Sequence, residues 1–146
     1  MSFAQVAKKL GGAKVLGPGS RSEGEFIGAV RAGLPVRALD TLLEDLGHEF
    51  LQGEVFQLVG SARTLQRRRA ASKARLSPAE SDRLARVARV VVRAEEAFGD
   101  PEKGRRWLSR PNRALGGERP LMMLDSDLGA LAVERVLGRI EHGVYS

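Results

Sequence analysis

Cysteine is absent from the 146 residues, which excludes disulfides, thiolate metal sites and a thiol nucleophile. Histidine is almost absent. His48 follows a helix end and reads as an exposed loop residue, and His142 reads as a helix-end histidine with no nucleophile motif around it. No apolar run approaches the roughly 18 residues of a membrane span. The first 20 residues carry three lysines but no continuous apolar stretch, a poor signal peptide. Aromatic residues are few, with one Trp (Trp107) and one Tyr (Tyr145). No acid–base constellation replaces the missing thiol. The expectation is a cytoplasmic protein that is not an enzyme and uses no cofactor or metal.

What the chain does have is basic charge, and it is concentrated. Between Ala62 and Arg93 stand ten Lys and Arg residues against only Glu80 and Asp82, a net of +8. The remainder holds 14 basic and 16 acidic residues, a net of −2, so the whole excess of +6 sits in one window. Such a localised surplus is the footprint of a polyanion site.

Taken in order, residues 1–23 are rich in Gly and small polar residues and show no sustained period, so they read as a flexible arm. Gly17-Pro18-Gly19-Ser20 lacks the Gly-Lys-Ser/Thr ending of a phosphate loop. A helical pattern begins near Glu25 and breaks at Gly33 and Pro35. Val36, Leu39, Leu42, Leu43 and Leu46 then mark an amphipathic helix ended by Gly47. Glu54 to Val59 is a short helix, Gly60-Ser61 a tight turn, and Ala62 to about Ala74 a third, basic helix. Two helices around a short Gly-containing turn are the signature of helix-turn-helix. In a major groove, Arg63, Gln66, Arg67, Arg68, Arg69 and Lys73 could read bases or hold phosphates.

Ser77-Pro78-Ala79-Glu80 is a capping box with proline at the first helical position, opening a long helix to about Phe98. Asp100-Pro101 starts another helix, which carries Trp107 as a core anchor and stops before Pro111. Gly116, Gly117 and Pro120 make a turn-rich crossing, with Met122 and Met123 as core filler. Asp125 or Asp127 then caps a last helix. Its apolar positions are Leu128, Leu131, Val133, Val136, Leu137, Ile140 and Val144, and the run from Val133 has the spacing of a buried face. Glu134, Arg135, Arg139 and Glu141 fall on the other face. The fold class is all-α: a helix-turn-helix part (24–76), then a connecting helix and a small helical domain (77–146).

From Phe98 onward the chain resembles the toxin-binding domain shared by the Xre, MbcA and ParS antitoxins. The resemblance is carried by Phe98-Gly99-Asp100, Trp107-Leu108, the Pro111 to Gly117 crossing, Pro120-Leu121 and the stretch Leu137 to Val144. Ser61 to Arg68 resembles the recognition-helix segment of the same antitoxins and adds Thr64 to the DNA-facing candidates. The resemblance implies an antitoxin that represses its own operon by binding operator DNA, as a homodimer. It also implies direct neutralisation of a partner toxin, for the Xre group a RES-domain protein that consumes NAD. Carried over by position, Arg139, Glu141, His142, Gly143 and Val144 match the family's stretch and Tyr145 and Ser146 continue it, with Arg135 on the adjoining face. A plain repressor whose C-terminal half only dimerises is the rival reading.

Overall fold

The computed structural model describes residues 2–47 and 52–143; His48, Val144, Tyr145 and Ser146 therefore lie outside the described residues. The described residues contain no strand beyond one isolated antiparallel bridge, between Pro35 and Arg75. No helix is long and apolar enough to cross a membrane among them. The chain divides into two compact units, residues 2–88 and 89–146.

The first unit begins with α1 (Phe3–Lys9) and α2 (Gly12–Leu16), followed by a 3₁₀ turn at Gly17–Ser20. The expected flexible arm is thus helical. Ser2 and Gln5 cap α1 reciprocally, and Val6, Ala7, Leu10 and Leu16 are buried. Val6 and Ala7 stand four and three residues before Leu10, helical spacing that the glycines at 11 and 12 interrupt before Leu16. Next come α3 (Glu23–Ala32), α4 (Val36–Leu46), α5 (Gln52–Val59) and α6 (Ala62–Ala70).

Ala62 to Ala74 does not form one helix. After Ala70 the chain bends through residues 71–73 and then pairs with the segment between α3 and α4. The Val36 amide donates to the Ala74 carbonyl, and the Leu76 amide to that of Leu34, both at 2.8 Å. Gly33 makes this approach possible: its φ is 106°, and a Cβ there would stand 2.5 Å from the Leu76 carbonyl oxygen.

α7 (Pro78–Phe98) runs through the division between the units. Its capping box is formed as the sequence predicts, with the Ser77 amide donating to Glu80 Oε1 at 2.7 Å and the Glu80 amide to Ser77 Oγ at 3.1 Å.

In the second unit, α8 (Pro101–Ser109) is capped by the Asp100 side chain and ends before Pro111. Gly104 lets α8 approach α7, since a Cβ there would lie 2.8 Å from the Ala94 carbonyl. Trp107 is half-buried, its ring centroid 6.0 Å from that of Phe98. Two 3₁₀ turns, Arg113–Leu115 and Pro120–Asp125, lead to α9 (Asp127–Glu141). The cap of α9 is neither aspartate. Ser126, between them, accepts the Gly129 amide at 3.0 Å, and Asp127 is the first helical residue. Leu108, Leu121, Leu124, Val133 and Leu137 are buried in this unit.

Candidate functional sites

α6 follows α5 after only Gly60 and Ser61, and the Ser61 hydroxyl caps it by accepting the Thr64 amide at 3.2 Å. The same hydroxyl donates to Thr64 Oγ1 at 2.8 Å, so Thr64 is part of the cap. Leu65 is fully buried and fixes the helix phase. At about 100° per residue, Arg63 and Arg67 point about 160° away from Leu65, and Gln66 about 100°. All three are exposed, without an ion pair or side-chain hydrogen bond to any described residue.

Arg68 and Arg69 lie only about 60° and 40° from the direction of Leu65, and so meet neighbouring elements. Arg68 Nε donates to Glu80 Oε1 at 3.0 Å. Arg69 pairs with Asp40 and sits over the Phe56 ring, 5.9 Å from its centroid. Lys73 is exposed but falls beyond the C-terminus of α6. Of the predicted DNA-facing residues, then, Arg63, Gln66 and Arg67 share the outward face of one helix. Arg68 and Arg69 are engaged within the unit.

The carboxyl of Glu80 is 4% exposed as a residue and central to this arrangement. Burial alone pushes it up. The Ser77 amide and hydroxyl and the Arg68 guanidinium outweigh burial and hold it below the ordinary glutamate range.

The second candidate surface is on α9. Ala130, Val133, Val136 and Leu137 are buried, with Ile140 half-buried beside them. Leu128 and Leu131 are not part of that face: they are 79% and 42% exposed. At about 100° per residue they fall on the opposite side of the helix from Val133 and Leu137, a phase difference readable in the spacing itself.

Glu134 accepts from Arg89 Nε at 2.6 Å, and Glu141 stands 3.9 Å from Arg93 Nε, so both carboxylates turn toward α7. Arg135 and Arg139 are exposed and have no such partner among the described residues. With Gly138 and His142 they line an open recess of ≈ 440 Å³. The helix closes at His142, and Gly143 takes φ 72°, so the chain leaves the helix axis there. The structure therefore gathers Arg135, Arg139 and His142 on one face and sets Glu141 apart from them.

Two family models match the chain. Residues 51–89 match the antitoxin Xre-like helix-turn-helix domain, and residues 93–143 the antitoxin Xre/MbcA/ParS C-terminal toxin-binding domain. An antitoxin Xre of Photorhabdus laumondii is 37% identical over 86% of this chain and 84% of its own length. An antitoxin Xre of Yersinia enterocolitica is 35% identical over 83% and 81%. A Prs ADP-ribosylating antitoxin of a Sphingobium species is 27% identical over 82% and 80%.

Proposed function

Because the chain belongs to the Xre family of antitoxins, we propose that it neutralises a RES-type, NAD-consuming toxin by direct binding and represses its own operon as a homodimer on operator DNA. The observation that carries this reading is the pair of basic faces without a partner among the described residues, one in each matched domain. Arg63, Gln66 and Arg67 stand out from α6, and Arg135 and Arg139 from α9. On α6 the arginines suit phosphates and guanine edges, and Gln66 an adenine edge. On α9 they suit a protein surface. The name of the Sphingobium relative speaks of ADP-ribosylation, chemistry that draws on NAD, which supports an NAD-consuming partner.

In this reading Val144, Tyr145 and Ser146 belong to the part that enters the toxin's dinucleotide site. Tyr145 would fill it with a ring. Both partners place the protein in the cytoplasm. The test is co-expression: the chain should restore growth to cells making a RES-type toxin, co-purify with it, and retard the DNA upstream of its own gene. Growth arrest despite abundant chain would overturn the toxin half of the reading.

A further inference from the structure

We propose that the outward stripe of α9 seats the toxin from Leu128 down to His142, and that the toxin meets it with a carboxylate set in an apolar rim. The proposal rests on the reading of the C-terminal unit as toxin-binding and adds where and with what chemistry.

At about 100° per residue, Leu128, Leu131, Arg135, Gly138, Arg139 and His142 fall within an arc of about 100°, over a length of about 20 Å. The buried residues of α9 occupy the opposite arc. The stripe is apolar at its start, where Leu128 and Leu131 are 79% and 42% exposed. It is cationic at its end. Gly138 leaves a notch beside the two arginine side chains in the same recess, where a Cβ would meet only Arg93 Nη2 at 3.7 Å. An acidic side chain entering that notch gains two guanidinium forks, the strongest class of hydrogen-bond donor to carboxylate.

Among the described residues none supplies that carboxylate. Glu134 and Glu141, the acidic residues nearest in sequence, are directed at Arg89 and Arg93. The complement must come from a partner, and a second copy of this chain fits badly. A two-fold pairing centred on the stripe sets Arg135 on Arg135 and Leu131 on Arg139, like charge on like and apolar on charged. DNA would use the arginines and leave both leucines in water. A protein with an acidic residue in an apolar rim uses every member, leucines as buried anchor and arginines at the polar end.

The experiment uses the unaltered chain and a RES-type toxin, with three variants: L128D/L131D, R135E/R139E and G138A. All the substituted side chains except the Gly138 position are exposed, and Gly138 has ordinary space, so folding is preserved. Each variant is expected to bind the toxin about tenfold or more weakly, with operator affinity and oligomeric mass unchanged. If the unaltered chain does not bind the toxin, the functional reading itself fails. If it binds and all three variants bind as well, the stripe is the wrong surface although that reading stands. Loss of operator binding would make DNA the occupant, and a fall in oligomeric mass a second copy; either overturns the proposal.

Discussion

Arg68 Nε lies 3.0 Å from Oε1 of Glu80, the oxygen that also accepts the Ser77 amide at the start of α7. One carboxylate therefore ties the outward-facing helix α6 to the cap of the helix that follows it. An arginine inside a basic run is here a fastening for the helix, and that separates its role from those of its neighbours.

Arg67→Ala and Arg63→Ala should each lower the dependence of operator binding on salt, by about 0.9 in the slope of log K against log salt for each phosphate no longer neutralised. Arg68→Ala should leave that slope unchanged and lower thermal stability instead. Binding isotherms across a salt series, beside melting curves, separate the two behaviours. An Arg68→Ala slope as shallow as that of Arg67→Ala would return Arg68 to the phosphate-binding set.

Glu80 should give the fold an acid-sensitive component. Its carboxyl is held below the ordinary glutamate range, so the charged form is favoured more in the folded chain than in the unfolded one. Its contribution is present above the ordinary value, and it is lost as pH falls through the lower folded value. Glu80→Gln should be less stable at neutral pH, with the gap to the unaltered chain narrowing below about pH 4. A gap constant down to acid pH would show that the charge contributes nothing. Glu80→Ala should cost on the order of 2 kcal/mol, less than a fully buried pair, because Arg68 can turn to water.

Leu10→Ala tests the N-terminal helices. Leu10 is fully buried, so the truncation should cost about 2–5 kcal/mol in chemical unfolding. A change near zero would restore the picture of a loose arm.

Two glycines of α9 should respond oppositely to alanine. At Gly129 a Cβ would sit 1.9 Å from the Met123 carbonyl oxygen, so Gly129→Ala must push α9 from the preceding turn and lower the melting temperature. At Gly138 the space is ordinary, and alanine should stabilise the helix by up to about 1 kcal/mol. Equal melting shifts of the same sign would contradict this geometry.

Deleting Val144 to Ser146 should leave the melting temperature and operator affinity unchanged but weaken toxin neutralisation in a co-expression growth assay. Full protection by the shortened chain at normal abundance would leave the face around Arg135 and Arg139 as the whole interface.

Much of the fold was legible because its signals are local. The Ser77–Glu80 box, the Asp100-Pro101 start and the stops at Gly47 and Pro111 each act through neighbours in sequence. The end of α6 was not, because its reason lies elsewhere: a helix pattern from Ala62 onward gives way where the chain pairs with Leu34 and Val36. The cap of α9 was missed by one residue, since Asp125, Ser126 and Asp127 all suit a cap and only backbone geometry chooses. Among the candidate site residues, composition could find the basic run but not divide it. Which arginines face outward depends on Leu65 being buried and on Glu80 and Asp40 being near, and both are tertiary facts.

The alternation along α9 carries a consequence for how such pairs diversify. Glu134 and Glu141 are directed at Arg89 and Arg93, while Arg135 and Arg139, each within two residues of one of them, have no such partner among the described residues. In the proposed interface, folding and recognition are thus written in adjacent letters with separate obligations. Substitutions at 128, 131, 135, 139 and 142 can accumulate without unsettling the helix. A duplicated copy could then drift to a new partner and stop protecting against the old one, so that two related systems in one cell stay insulated from each other.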